Sequence, residues 1–175
     1  MCTEIEAKLK VDSLKQIEEI LAGLGAEFLQ QQQQIDYYLD DENRTLTKAD
    51  KCLRLRREIV RDGETRFLTY KGPKQKDNFK KRQEIEIEIT DANSAEKLLS
   101  AIGFKKALVV EKKRWTWRIG QCKVALDELP QLGTFVEIEG PDAEQIASVQ
   151  KDLQLSDLPH IPESYVALIE KKNAE

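Results

Sequence analysis

Hydrophobic and polar residues alternate along most of the chain, and four segments replace this alternation with the spacing of an amphipathic helix. The first predicted helix covers residues 13–24, with Ser13 as its N-cap and Gly25 just after its end. The others cover residues 94–102, residues 142–153 and a last segment that begins near Pro162. The remaining segments have the period of two that is typical of β-strands, and Asp62-Gly63 predicts a hairpin turn between two of them.

The two halves of the chain share a short pattern. Glu4-Ile5-Glu6 precedes the first predicted helix, and Glu86-Ile87-Glu88 precedes the second. This repetition predicts a single domain over residues 1–175, made of two related halves at about 1–80 and 81–175.

Charged residues within the predicted strands are sorted by sign. Residues two apart in a strand share a face, so Arg54 and Arg56 lie together on one strand, and Glu137 and Glu139 on another. Like charges about 7 Å apart repel by roughly 0.6 kcal/mol in water and by about 2.4 kcal/mol at an effective dielectric constant near 20. One interpretation is an antiparallel sheet with a solvated charged face. The separation of signs favours another, in which a divalent cation binds the carboxylates and a polyanion binds the cations.

A closed or nearly closed antiparallel barrel with a polar interior would collect these charged faces around one elongated ligand. Its leucine and isoleucine side chains would face outward, beneath the predicted helices. The predicted fold class is therefore α+β. Oxygen ligands from Asp and Glu favour Mg²⁺ or Mn²⁺, and a metal-bound polyphosphate would satisfy both sets of charges.

The composition argues against several other classes of protein. The 28 Lys and Arg against 32 Asp and Glu give a net charge of -4, without the basic excess of a general nucleic-acid binder. The single histidine, His160, is too few for a multi-histidine zinc site. The sequence has no GxGxxG and no complete Walker motif, and no apolar run approaches the roughly 20 residues of a membrane helix. Three widely spaced cysteines suit a reducing compartment, so we expect a cytoplasmic protein with no membrane partner.

A series of motifs along the chain matches those of one known family. The first is Glu4-x-Glu6-x-Lys8. The later ones are, in order, Asp36-x-Tyr38, Leu53-Arg54-Leu55-Arg56, Thr69-Tyr70-Lys71-Gly72-Pro73, Arg82-x-Glu84-x-Glu86, Lys112-x-Arg114, Leu126-Asp127, Leu132-Gly133-x-Phe135-x-Glu137-Ile138-Glu139 and Ser164-Tyr165. With this series the sequence resembles the CYTH superfamily of triphosphate tunnel metalloenzymes, which includes class IV adenylyl cyclases, thiamine triphosphatases and inorganic triphosphatases. Its Lys-Gly-Pro turn and Ser-Tyr pair look most like the class IV cyclase-like branch.

The resemblance implies an antiparallel eight-stranded β-barrel, a triphosphate tunnel with a charged interior and helices outside it. It also implies Mg²⁺ or Mn²⁺ as the cofactor. The implied metal ligands are Glu4, Glu6, Asp127, Glu137 and Glu139. The implied triphosphate-binding residues are Lys8, Arg54, Arg56, Lys71, Arg82, Lys112 and Arg114.

The resemblance leaves more than one activity open. The primary prediction is a class IV adenylyl cyclase-like enzyme that converts ATP to cyclic AMP and pyrophosphate, with Asp127 near a second metal ion. The alternative is a triphosphatase that releases orthophosphate from inorganic triphosphate or thiamine triphosphate, with Lys8 and Tyr38 activating water. Tyr38 has the competing role of a packing aromatic, and Tyr37 points the opposite way in a regular strand. A further alternative is a module that binds polyphosphate or nucleotide without turnover.

The roles of several other residues stay open at this point. Glu84, Glu86 and Glu88 either bind metal or balance the arginines. The last helix either forms a homodimer contact or closes one end of the barrel. Trp115 and Trp117 lie on the strand face opposite Lys112 and Arg114, so we expect them to pack beneath a helix and not to form a platform for a base.

Overall fold

The computed structural model describes residues 2–75 and 80–174, and for residues 2–4 and 80 it describes the backbone alone. Its strands are β1 (Cys2–Val11), β2 (Glu27–Asp40), β3 (Cys52–Val60), β4 (Gly63–Lys71), β5 (Lys80–Glu88), β6 (Lys105–Ile119), β7 (Cys122–Leu129) and β8 (Gly133–Glu139). Its helices are α1 (Leu14–Gly23), α2 (Thr45–Lys48), α3 (Ala92–Ala101), α4 (Ala143–Asp152) and α5 (Tyr165–Ala174). None of the described helices combines the length and the apolar character that crossing a bilayer requires.

The strands form one closed barrel in the order β1-β5-β4-β3-β2-β6-β7-β8. Every neighbouring pair is antiparallel, including β1 and β8, whose pairing from Glu6↔Glu139 to Val11↔Thr134 closes the ring. The predicted eight-stranded antiparallel barrel covered by helices is confirmed.

Alternation along the strands separates an apolar outer face from a charged inner face. In β1, Ala7 and Leu9 face outward and are 2% and 0% exposed, whereas Glu6 and Lys8 line the interior. Burying the outer face removes apolar area from water and contributes about 25 cal/mol per Å². The interior therefore stays available for charged groups because the hydrophobic core lies outside the barrel.

Two helices cover the outer face of β1, β7 and β8. Ile17 of α1 and Ile146 of α4 belong to one buried cluster with Leu9. Ser13 caps α1 as predicted, since its side chain accepts a hydrogen bond from the N–H of Gln16. Trp117 is buried in the same cluster. Trp115 packs against this cluster, so both tryptophans lie on the helix-covered side of the barrel, as expected from strand alternation.

Helix α5 lies at one end of the barrel. Its residues Tyr165 and Ile169 pack with Leu129 at the end of β7 and with Phe135 near the start of β8. The ring of Phe135 meets the ring of Tyr165 edge-on, with centroids 5.2 Å apart. Of the two roles expected for the last helix, the structure shows the one at the barrel end, and the homodimer stays a prediction.

Two helices differ from the sequence prediction. Helix α3 begins at Ala92 and not at residue 94, because the side chain of Asp91 accepts from the N–H groups of Asn93 and Ser94 and so caps it two residues earlier. The four-residue helix α2 was not predicted, because a segment this short carries no helical periodicity. It is held by Asp40, whose carboxylate accepts from the N–H groups of Leu46 and Thr47.

The hairpin between β3 and β4 turns one residue earlier than predicted. Val60 pairs with Gly63, so Arg61 and Asp62 are the two loop residues. Gly63 is the first residue of β4 and does not have a positive φ. The glycine therefore begins the strand instead of providing the left-handed turn position that Asp62-Gly63 indicated.

Gly140, directly after β8, marks a close approach between the barrel and α4. A Cβ at this position would lie 2.8 Å from Sγ of Cys122 and 2.9 Å from Cγ1 of Ile146. Both neighbours are buried, so they would have to move. We expect Gly140→Ala to lower the free energy of unfolding by about 1–3 kcal/mol, measured by urea denaturation.

The matched control is Gly23→Ala at the end of α1, where a Cβ would meet nothing within 4 Å. There we expect a neutral or stabilising effect of about 0.4–1 kcal/mol. Equal free energies of unfolding for the two variants would contradict the tight packing at Gly140.

Candidate active site

A cavity of about 1060 Å³ occupies the interior of the barrel. The structure brings all the predicted triphosphate-binding cations to its wall: Lys8, Arg54, Arg56, Lys71, Arg82, Lys112 and Arg114. Of the predicted metal ligands, Glu6, Glu137 and Glu139 also line it. The side chain of Glu4 lies outside the described part of the structure, although its backbone pairs with Arg82 across β1 and β5.

Asp127 of β7 is the centre of one buried network. Its Oδ1 accepts from Nε of Arg114 at 2.6 Å, and its Oδ2 accepts from Nζ of Lys112 at 2.9 Å. The hydroxyl of Tyr165 also donates to Oδ2, at 2.9 Å. Burial raises the pKa of Asp127, but Arg114 and Lys112 outweigh this effect and hold it below its ordinary value. Asp127 is therefore an anion that positions two cations and a tyrosine, and its predicted role as a metal ligand stays a prediction.

Lys8 joins this network to the chain that leads into α5. Its ammonium lies 3.3 Å from Oε1 of Glu137 and donates to the backbone carbonyl of Glu163 at 3.0 Å. It also lies 4.0 Å from the centre of the Tyr165 ring, a cation–π distance. Arg114 hydrogen-bonds to Glu137 as well, so one carboxylate holds two of the predicted phosphate-binding residues.

Asp36 of β2 is the centre of a second buried network. It receives a bidentate pair of hydrogen bonds from Arg56, at 2.6 and 2.7 Å, and Arg54 lies 3.8 Å away. Burial raises the pKa of Asp36, but Arg56 and Arg54 outweigh it and hold the pKa well below its usual range. The sequence placed Asp36 in a family motif without a role, and the structure makes it the counterion of two arginines.

The carboxylates of β5 lie close to Lys71 and Arg54. Glu84 lies 2.7 Å from Nζ of Lys71, and Glu86 lies 3.5 Å from Arg54. Glu86 also accepts from the hydroxyl of Thr69, at 2.7 Å. Glu84 and Glu86 are thus in contact with cations, which agrees with the expected role of balancing the arginines.

These pairs determine how Arg54 affects the stability of the barrel. A barrel lined with cations alone would gain stability if Arg54 were removed, because repulsion would fall. Arg54, however, lies within 4.0 Å of Asp36, Glu84 and Glu86. Removing it would take one of two cationic partners from the buried Asp36, which is destabilising.

Glu6 and Glu139 form the acidic part of the cavity. They are directly opposite each other on β1 and β8, in the position where like charges destabilise an antiparallel pair. Among the side chains that the structure describes, no group of three or more carboxylate, histidine or cysteine residues comes together as a metal site. Mg²⁺ usually binds proteins through one or two carboxylates together with substrate phosphates, so Glu6 and Glu139 fit the predicted ion in the presence of its substrate.

The two adjacent tyrosines of β2 point to opposite sides, and Tyr38 is the one that lines the cavity. Tyr37 packs outside the barrel against the cluster that contains Leu55. Burial and the charge of Asp36 raise the pKa of Tyr38 well above its ordinary value. Tyr38 is therefore protonated at neutral pH and can donate a hydrogen bond, and its predicted part in activating water stays a prediction.

Lys112 is the cation whose protonation is most sensitive to its surroundings. Burial and the charge of Arg114 lower its pKa to about 8, although Asp127 and Glu137 oppose them. A polyanion bound beside Lys112 would favour its charged form. The group is thus well suited to an anionic ligand that displaces water from the cavity.

Sequence reasoning missed Asp36, Thr69 and Tyr165 as parts of the site. Each occurs in one of the motifs of the series, but its partner is distant along the chain: Arg56 lies 20 positions from Asp36, Glu86 lies 17 positions from Thr69, and Asp127 lies 38 positions from Tyr165. Only the pairing of the strands and the packing of α5 bring these partners together. The signal in the sequence that could have indicated Tyr165 as part of the site was the Ser164-Tyr165 pair at the start of the last helix, because a tyrosine at a barrel end can reach the interior. It indicated packing and not the hydrogen bond to Asp127 that the structure shows.

Comparison with known proteins gives a consistent result. A CYTH domain family model matches residues 3–165. The protein named "Putative adenylate cyclase MJ0240" from Methanocaldococcus jannaschii is 31% identical over 174 residues, covering 94% of this chain and 97% of that protein. "Adenylate cyclase CyaB" from Aeromonas hydrophila is 28% identical, covering 77% of this chain and 67% of that protein. The structure of the PH1819 protein from Pyrococcus horikoshii OT3 matches with a TM-score of 0.85 at 31% identity, over 97% of this chain and 99% of that one.

Asp36 provides a test of the charge pairing. Asp36→Asn leaves Arg54 and Arg56 buried beside a neutral amide, and we expect the free energy of unfolding at pH 7 to fall by about 3–5 kcal/mol. Because the pKa of Asp36 is lower in the folded state than in the unfolded chain, its contribution is present above about pH 4 and is lost as the pH falls. The acid side of the stability profile should therefore be flatter in the variant, as measured by urea denaturation between pH 7 and pH 3.

Asp62→Asn, in the exposed loop between β3 and β4, serves as the control. We expect a change of less than about 0.5 kcal/mol there. An Asp36→Asn variant that unfolds at the same urea concentration as the control would show that the Asp36 network does not stabilise the barrel.

Proposed function

This chain belongs to the CYTH family, and on that basis we propose that it is a divalent-metal-dependent enzyme that converts ATP to cyclic AMP and pyrophosphate. The observation that carries the proposal is the interior cavity, whose wall combines the seven predicted phosphate-binding cations with the carboxylates of Glu6 and Glu139. The relatives named as adenylate cyclases favour cyclisation as its reaction.

The triphosphate would bind along the cationic wall. Arg54 and Arg56 offer planar groups that match phosphate oxygens in pairs, and Lys112 adds a compact charge. Carboxylates such as Asp36 now occupy part of this hydrogen-bonding capacity. These carboxylates hold the wall in position before the ligand arrives, which keeps the reorganisation on binding small. Binding would then exchange part of the contacts to carboxylates for contacts to phosphate.

Glu6 and Glu139 would hold the divalent ion together with oxygens of the substrate, and Glu4, two positions before Glu6, and Glu137 are further candidates. When bound, Mg²⁺ or Mn²⁺ supplies charge neutralisation at the phosphates and makes a nearby hydroxyl more acidic. Asp127 contributes in a different way, because it fixes Lys112 and Arg114 in the cavity wall.

In the reaction, the ribose 3′ oxygen forms a bond to the α-phosphorus while the bond from that phosphorus to the oxygen of the leaving pyrophosphate breaks. The hydroxyl proton leaves to solvent or to a phosphate oxygen. Negative charge grows on the pyrophosphate, and Lys112 and Arg114 would stabilise it from a fixed position. Tyr38, which stays protonated, would donate a hydrogen bond to a phosphate oxygen.

A triphosphatase is the second candidate, because Lys8 and Tyr38 both line the same cavity. In that reaction, water attacks the terminal phosphorus, the bond from that phosphorus to the bridging oxygen breaks, and orthophosphate and the remaining diphosphate are released. The raised pKa of Tyr38 makes it a donor that would orient phosphate. The two candidates therefore share their binding residues and differ in the nucleophile.

The product assay separates these candidates. The purified protein would be incubated with ATP, inorganic triphosphate or thiamine triphosphate, each with Mg²⁺ and with Mn²⁺, and the products would be followed by phosphorus NMR and chromatography. We expect cyclic AMP and pyrophosphate from ATP. Orthophosphate without cyclic AMP would establish the triphosphatase instead. Absence of turnover together with a higher melting temperature in the presence of triphosphate would leave a binding module.

The metal proposal predicts a selective effect of two neutral substitutions. Glu6→Gln and Glu139→Gln should lower kcat/KM at a fixed Mg²⁺ concentration by about 100-fold or more, since ligand oxygens are lost. Metal-free binding of inorganic triphosphate, measured by calorimetry, should stay equal or become tighter, because negative charge near the ligand falls. Glu111→Gln on the exposed outer side of β6 is the control and should change neither quantity. Equal losses of metal-free and metal-dependent binding would contradict this assignment.

A further inference from the structure

Three glutamines of β2 form an uncharged row inside the cavity. Gln30, Gln32 and Gln34 line it, while Gln31 and Gln33 between them are exposed on the outside of the barrel. The glutamine run at residues 30–34 therefore has two faces with different surroundings, because alternate side chains of a strand point to opposite sides. The inner face has neutral amides in a cavity whose other groups are mostly charged.

Gln34 is the most constrained member of this row. It is 1% exposed, and its Nε2 donates to Oε1 of Glu58 at 2.8 Å. Its Oε1 is buried and has no hydrogen-bond partner among the described residues. A buried acceptor without a partner is unfavourable, and the position of this one in a cavity wall points to a donor supplied from outside the protein.

The neighbours of the row define the chemistry of that donor. Gln34 is directly opposite Lys112 on β6 and Glu58 on β3, and Gln32 is directly opposite Arg114. Gln32 accepts from Nε2 of Gln30 at 2.7 Å. The row thus borders the cationic wall and places acceptor oxygens, from Gln34 and Glu58, next to the cations.

A bare phosphate chain cannot satisfy these acceptors. Ionised phosphate oxygens only accept hydrogen bonds, and the carboxylate of Glu58 repels them. An organic group attached to the triphosphate, with N–H or O–H donors, would satisfy Gln34 while its phosphates meet Lys112 and Arg114. The cavity of about 1060 Å³ is slightly larger than the range of roughly 300–1,000 Å³ found for organic ligands, so an organic group has room beside the phosphates.

We propose that Gln34, supported by Glu58 and Gln32, recognises the nucleoside part of a nucleoside triphosphate, by accepting from an amino group of the base or a hydroxyl of the ribose. This inference rests on the proposed function and adds to it the residues that distinguish a nucleotide from inorganic triphosphate. A site built to accept a hydrogen bond rejects ligands that lack the donor, because its buried acceptor then stays without a partner.

The test compares two ligands on matched variants. Gln34→Met keeps the length of the side chain and removes its polar atoms, and Gln33→Met makes the same change on the outer face of the strand. Binding of ATP and of inorganic triphosphate would be measured by calorimetry with Ca²⁺. We expect Gln34→Met to weaken ATP binding by about 10-fold, as for the loss of one well-placed hydrogen bond, and to change inorganic triphosphate binding by less than about twofold. Gln33→Met should change neither.

The outcomes separate this inference from the proposed function. If the wild-type protein binds neither ligand, the proposed function fails. If it binds inorganic triphosphate but Gln34→Met weakens both ligands equally, the proposed function stands and the role of Gln34 is wrong. Retained binding of inorganic triphosphate also shows that the variant is folded. A second measurement compares the affinities of the wild-type protein for ATP, purine riboside triphosphate, 2′-deoxy-ATP and 3′-deoxy-ATP. We expect ATP to bind more tightly than at least one of the three analogues, each of which lacks one donor group. Equal affinities for all four ligands would overturn the inference.

Discussion

A charge buried inside a protein is stable only beside an opposite charge or a hydrogen-bonding partner, and this constraint governs the interior of the barrel. Asp127 and Asp36 are each fixed by two cations from neighbouring strands. These pairs hold the cationic side chains in defined positions without ligand. The protein therefore presents an ordered surface to a polyanion, whereas unpaired cations would have repelled one another and spread apart.

A charged interior is compatible with a stable fold here because the barrel places the hydrophobic core on its outer side. Leu9, Val124 and Ile138 are 0% exposed between the strands and helices α1 and α4. Charged residues at alternate positions of the same strands then face inward. The helices thus stabilise the fold, and the interior is left for chemistry.

Much of this organisation could be predicted from sequence, because it follows from local periodicity. Alternation alone distinguished the inward Lys112 and Arg114 from the outward Trp115 and Trp117. It could not identify partners that the barrel brings together from distant positions, such as Asp127 with Tyr165. The predicted start of α3 was wrong because a local cap sets it: Asp91 caps the helix two residues before the position that the apolar pattern indicates. The metal ligands depend on a bound ion and its substrate, and periodicity contains no information about either.

The pairing of β1 with β5 and β8 has a consequence for biosynthesis. The first strand leaves the ribosome long before either of its neighbouring strands exists, so its backbone hydrogen-bonding groups have no strand partner until β5 and β8 have been synthesised. Contacts this distant in sequence are slow to form. We expect the nascent protein to stay open until β8 has been synthesised, and to acquire its charged interior only in the last step of folding.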